Sequence, residues 1–190
     1  MGLMLDALKQ IEAKPLSFAF PSLPPDPQGP PPLNPRASQQ SEQQPEQIVS
    51  VADPAYEELA ANLLSQLPAD RPAAVMFTSP GDGDGKTRLL RALAPVLAAR
   101  ADRRVLVLDA DLRKTPMASL TSQIDGLKRG TLALLDAPSL LYPEVAALGG
   151  HCDGVYLVVR LGHTIRRAVG EAARAIDQSG GRLLGCVAIG

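Results

Sequence analysis

Five short runs of this chain are apolar along most of their length: AAVMFTS (73–79), RVLVLDA (104–110), TLALLDA (131–137), GVYLVVR (154–160) and RLLGCVAI (182–189). A strand that is apolar on both faces must be covered on both faces. The stretches between the runs are long enough for helices, and two of them carry clear helical spacing. Covered strands alternating with helices dictate a parallel sheet with right-handed crossovers. The expected fold is therefore α/β, an open, mainly parallel sheet of about five strands with flanking helices. Aromatic residues make up only 3% of the chain and Trp is absent, so the core has to be built from Leu, Val, Ala and Ile.

The helices can be placed from their periodicity. Residues 86–100 repeat Leu89, Leu90, Leu93, Val96 and Leu97 along one face, with Pro95 expected to kink the helix. Residues 164–178 place Ile165, Ala168, Val169, Ala172 and Ile176 on one face. A short amphipathic helix is expected over 54–66. Residues 114–130 suffice for one short crossover helix, near the minimum for a parallel connection.

Upstream the composition changes. Residues 1–14 read as a leader helix with Leu5, Leu8 and Ile11 at helical spacing, too short to stand alone. Residues 15–50 contain most of the 18 prolines among Gln, Ser and Asp, and read as a disordered tether. The folded domain is expected over 51–190.

A net charge of -1 gives no electrostatic footprint for nucleic acid. No apolar run approaches the roughly 20 residues that a membrane span needs. The amino terminus lacks the shape of a signal peptide. The two cysteines, Cys152 and Cys186, have no metal-ligand spacing and read as reduced thiols of a cytoplasmic protein.

The first run leads directly into TSPGDGDGKT, and a helix follows. Strand, glycine-rich loop, Gly-Lys-Thr and helix is the context of a phosphate-binding P-loop. Gly81, Gly83 and Gly85 let the backbone curl so that its N–H groups face phosphate. Asp82, Asp84 and Arg88 complete the nucleotide-contacting stretch, and both acids bring negative charge to an anion site. Lys86 is expected to reach the β- and γ-phosphates and Thr87 to ligate Mg²⁺. Pro80 stands where the GxxxxGK[ST] pattern has its first glycine. The second run ends in Asp109 and Asp111, and either could hold a metal-bound water or orient an attacking hydroxyl. The third ends in Asp136, at the position of a Walker B aspartate that joins the metal shell. The expected metal set is Thr87, Asp109 and Asp136. The expected catalytic set is Lys86, Asp109 and Asp111. His151 and His163 flank the fourth run as surface residues, and Arg166, Arg167 and Arg174 form a solvated helix face.

TSPGDGDGKT, VLVLDADLRKTP, LALLDAP and DGVYLVVRLGHT together resemble the bacterial tyrosine kinases of capsule and exopolysaccharide synthesis. More distantly they resemble the partition ATPases of the same P-loop superclass. The resemblance runs from Tyr56 onward, and MLDALKQIEAK is similar to a leader helix of some exopolysaccharide-associated members. It implies MgATP on Lys86 and Thr87, the paired aspartates as Asp109 and Asp111, and Walker B as Asp136. It also implies a membrane-embedded polysaccharide export protein as partner. The chain departs from the family in its short 114–130 segment. It departs again in the 54–63 stretch, where the ring-forming Glu and Arg positions read Pro54, Glu57 and Ala60. Its three tyrosines are Tyr56, Tyr142 and Tyr156. Two functions follow: an ATPase or tyrosine kinase of polysaccharide export, or a nucleotide-binding regulatory module with slow turnover.

Overall fold

The structure is a computed structural model that describes residues 54–190. The leader helix and the tether expected over 1–50 lie outside the described residues. The elements run α1 (Pro54–Gln66), β1 (Ala73–Thr78), α2 (Lys86–Arg100), β2 (Arg104–Asp109) and α3 (Met117–Asp125). They continue with β3 (Thr131–Asp136), α4 (Pro143–Gly149), β4 (Gly154–Arg160), α5 (Arg166–Gln178) and β5 (Leu183–Ile189).

All five strands are parallel, in the order β2-β3-β1-β4-β5. From β1 the chain crosses past β3 to the edge, then returns and passes over β1 on its way to β4. The crossover through α2 thus runs opposite to the other three. Right-handed crossovers must then put α2 on one face and α3, α4 and α5 on the other.

The packing shows that division. Val75 and Phe77 of β1, with Leu132 and Leu134 of β3, pack on Leu63 of α1 and Leu90, Leu93 and Leu97 of α2. Met76, Leu135 and Leu157 point the other way, onto Leu120 of α3, Leu148 of α4 and Ile176 of α5. Alternate residues of one strand thus feed two separate cores. The α1 helix is held at one end by the Glu57–Arg100 ion pair. At its other end Gln66 Nε2 donates to the Tyr156 hydroxyl at 3.1 Å.

Three expectations need correcting. The run at 104–110 is not a buried strand. As β2 it forms an edge of the sheet, and Val107 is 50% exposed. A helix that the sequence reading missed, α4, occupies the connection after β3. Helix α2 includes Pro95, as expected, and that residue is exposed. Finally, α5 begins at Arg166 rather than 164, so Ile165 is not on its buried face but stands 69% exposed before its first turn.

Candidate functional site

In an open parallel sheet, ligands bind beyond the carboxyl ends of the strands, where consecutive crossovers leave in opposite directions. Here that point is the end of β1, since its crossover departs toward β2 while β3 passes over it to β4. The segment at that point is 79–87.

The loop is built by two left-handed glycines, Gly83 (φ 80) and Gly85 (φ 86). Gly81, expected to share in the curl, does not take a positive φ. Gly85 is also crowded: a Cβ there would meet Ile189 Cδ1 at 3.3 Å. It caps α2 without a side-chain hydrogen bond, so the helix presents its first N–H groups to the loop.

Lys86, the first residue of α2, folds back over the loop and donates from Nζ to Ser79 Oγ at 2.7 Å. Ser79 is fully buried, and its hydroxyl in turn donates to the Gly81 carbonyl. Burial lowers the Lys86 pKa, while Asp82, Asp136 and Asp84 act in the opposite direction. A half-buried cation at the start of a helix, bonded across a glycine-rich loop, is an arrangement that could receive an anion.

The Thr87 hydroxyl donates to Asp136 Oδ2 at 2.6 Å, uniting the helix start with the end of β3. Two further bonds fasten the β3–α4 loop to the end of β1. Thr78 Oγ1 donates to the Pro138 carbonyl at 2.6 Å, and the Leu140 N–H donates to the Ser79 carbonyl at 2.8 Å. Asp109 pairs in register with Asp136 on the neighbouring strand, and its carboxylate is largely exposed. It accepts the Asp111 N–H at 3.1 Å.

Asp111 is placed differently. Its carboxylate is gripped by Arg113 at 2.9 and 3.0 Å and approached by Lys114 at 3.3 Å. Arg113, foremost by these hydrogen bonds, holds its carboxyl well below the usual carboxylate range. Asp84, within the glycine-rich loop, is buried, with Oδ1 accepting the Thr164 hydroxyl of the β4–α5 loop at 3.0 Å. Its Oδ2 has no hydrogen-bond partner, nor does the buried Ser139 Oγ in the β3–α4 loop. Asp82 and Arg88 are exposed beside the loop.

The site therefore joins Ser79, Lys86, Thr87 and Asp136 and sets Asp109 beside them, while Asp111 is bound mainly to Arg113 and shares Lys114 with Asp109. Sequence reasoning placed Ser79 at the start of the nucleotide segment without giving it a role, and it missed Thr164. The signal for Ser79 was its place between a buried strand and a phosphate loop. A cleft of about 300 Å³ borders the site between the ends of β2 and β3, lined by Asp111, Arg113, Pro138, Tyr142 and Glu144. Another, also about 300 Å³, lies at the opposite end of the sheet around Arg71, His151 and Asp153, and contains no residue of the loop.

The donor set can be tested against a magnesium nucleotide. Among the described residues no group of three or more His, Cys, Asp or Glu side chains forms a metal cage. Mg²⁺ in nucleotide sites uses few protein ligands, taking the rest from water and phosphate. One hydroxyl and one or two carboxylates beside an anion receptor fit that ion.

These features define an α/β domain of the P-loop type, and solved structures place it more closely. The chain shares its fold with the kinase domain of the Escherichia coli tyrosine kinase ETK, at TM-score 0.56 and 20% identity over 73% of this chain and 76% of that one. It matches the chimerical protein CapA2B2 at TM-score 0.56 and 18% identity, over 77% of this chain and 86% of that one. The VpsO kinase domain matches at TM-score 0.52 and 22% identity, over 70% and 92%. No protein-family model and no curated protein matches the chain by sequence. The fold is thus that of bacterial tyrosine kinase domains. No helix among the described residues is long and apolar enough to cross a membrane.

Proposed function

We propose that this chain binds MgATP on residues 79–87 and acts in the synthesis or export of a polysaccharide, or in its regulation, at the cytoplasmic face of the membrane. The observation that carries the reading is the pair of contacts across the loop: Lys86 Nζ on Ser79 Oγ, and Thr87 Oγ1 on Asp136 Oδ2. Lys86 would hold the β- and γ-phosphates against the N–H groups of the loop and of α2. Thr87 and Asp136 would hold Mg²⁺, with Asp109 alongside. When bound, Mg²⁺ neutralises charge between the terminal phosphates. Asp109 is the carboxylate best placed to accept a proton from a hydroxyl, because it is exposed beside Asp136, whereas Asp111 is committed to Arg113. The likeness to tyrosine kinase domains supports ATP as the nucleotide. The partner we propose is a membrane-embedded export protein, as the sequence resemblance implies.

A second reading is a nucleotide-binding regulator with slow turnover, on the partition-ATPase pattern or as a kinase homologue without an acceptor. The Arg113–Asp111 grip favours it, because one of two candidate catalytic carboxylates is already neutralised.

Thermal unfolding tests the binding. A ligand specific to the native state stabilises by about 2.7 kcal/mol at a hundred times its Kd. MgATP is expected to raise Tm, and Lys86→Ala to abolish most of the shift while leaving the protein folded. An equal shift in Lys86→Ala would place the phosphates elsewhere.

A further inference from the structure

The turn between β4 and α5 carries a feature that the phosphate site does not use. It is tightly closed. Thr164 Oγ1 accepts the Arg160 N–H at 2.8 Å, and the Arg160 carbonyl accepts the N–H groups of Thr164 and His163 at 2.8 and 3.1 Å. The Leu161 N–H donates to the Ile189 carbonyl at 2.7 Å. At the tip, Gly162 turns with φ 75, and a Cβ there would meet nothing within 4 Å, so the tip stands clear of the fold. On this fixed turn Leu161 is 57% and Ile165 69% exposed.

The exposed charge on the turn and the first turn of α5 is basic, while the one carboxylate in contact with the turn, Asp84, is buried beneath Thr164. Arg160, Arg166 and Arg167 are exposed around the two aliphatic side chains, and no acidic residue occurs between Asp153 and Glu171. Glu171 pairs with Arg167 at 2.8 Å, and no ion pair engages Arg160 or Arg166 among the described residues. This local excess stands out in a chain of net charge -1.

We infer that the β4–α5 turn docks on a bilayer bearing anionic headgroups, with Leu161 and Ile165 entering the acyl boundary and Arg160 and Arg166 at headgroup level. Two branched side chains on a turn tip need no matching pocket in a fluid bilayer, whereas a protein surface would have to supply one. Flanking guanidiniums draw the turn to anionic lipid and remain hydrated at the interface. Thr164, which closes the turn, also donates to the buried Asp84 of the phosphate loop, so docking would bring the nucleotide site close to the membrane.

Flotation of the full chain with phosphatidylcholine vesicles, with and without phosphatidylglycerol, tests it. Binding is expected only with the anionic lipid, and is expected to weaken as salt is raised. Leu161→Ser/Ile165→Ser should reduce the partition roughly tenfold or more. Arg160→Gln and Arg166→Gln should each reduce it about fivefold. All four positions are exposed, and unchanged Tm values would show that the variants fold. Equal binding to neutral vesicles, no binding to either, or binding that survives the Leu161/Ile165 change would overturn the inference. Self-association without vesicles that the same double change abolishes would also overturn it, assigning the turn to a second copy of the chain.

Discussion

Removing the Asp84 carboxylate is expected to stabilise the protein. Asp84 is 1% exposed, with one oxygen hydrogen-bonded to Thr164 and the other unpartnered. A hydrogen bond to a charged group contributes about 1.5–3 kcal/mol. The effective cost of burying an ion is several kcal/mol, and one bond with the attraction to half-buried Lys86 offsets only part of it. Asp84→Ala should therefore raise stability by about 1–2 kcal/mol, or roughly 3–8 °C in Tm for a domain of this size. Thr164→Val should do the reverse. It leaves the carboxylate without a donor and deprives the Arg160 N–H of its acceptor, for a loss of about 2–4 kcal/mol. In the Asp84→Ala background the same change should cost much less, a coupling of about 1–3 kcal/mol. Urea unfolding of the four proteins without nucleotide measures these terms. MgATP titration of the same set should show tighter binding in Asp84→Ala, since a negative charge near Lys86 has been removed. Destabilisation of Asp84→Ala by more than about 1 kcal/mol, or strict additivity of the two changes, would refute the reasoning.

Three further outcomes are expected. Incubation with labelled ATP and Mg²⁺ should give slow hydrolysis and little phosphotyrosine by peptide mapping. Tyr156 is buried against Phe77, Tyr56 packs on the core within α1, and Tyr142 is held at the start of α4; robust labelling lost in Lys86→Ala and Asp109→Ala would restore the kinase. Removing residues 1–50 should leave the MgATP-induced rise in Tm intact, because a proline-rich segment contributes little to a core; loss of folding would show that the leader packs on the domain. Stability should fall as pH drops below the usual carboxylate value of about 4, because the folded-state pKa of Asp111 lies lower and the unfolded chain takes up the proton first. Asp111→Asn should flatten that acid limb in urea titrations between about pH 5 and 2, and an unchanged limb would assign it to other carboxylates.

What could be read from the sequence follows how local each determinant is. The strand runs and the Gly-Lys-Thr loop carry their signal in consecutive residues, so β1, β3, β4 and β5 and the place of the glycine-rich loop between β1 and α2 were legible. Neighbour order is not local, and it misled the reading of RVLVLDA. Its apolar content matches that of TLALLDA, yet one run lies at the edge and the other inside the sheet. Helix α4, seven residues long, is too short to show a period, although Pro143 and Glu144 mark its first turn. Ile165 fits the period of α5, but the Gly162 turn delays the helix and leaves it outside. The fates of Asp84 and Asp111 depended on Thr164, which lies 80 residues from Asp84, and on the reach of the Arg113 side chain.

The exposed flank of β2 has a consequence for solubility. Edge strands with free N–H and C=O groups are templates on which other chains can add, and natural proteins blunt them with charge. Here the middle of the strand, Val105 to Leu108, is uncharged, and the charges sit at the two ends, Arg104 and Asp109. Asp109 thus stands at two posts, in register with Asp136 beside the glycine-rich loop and as gatekeeper of an open edge. A variant that neutralises it would remove one of only two charges in the strand along with any catalytic role. Asp109→Glu or Asp109→Lys, which keep the edge charged, separate lost chemistry from gained aggregation better than Asp109→Ala.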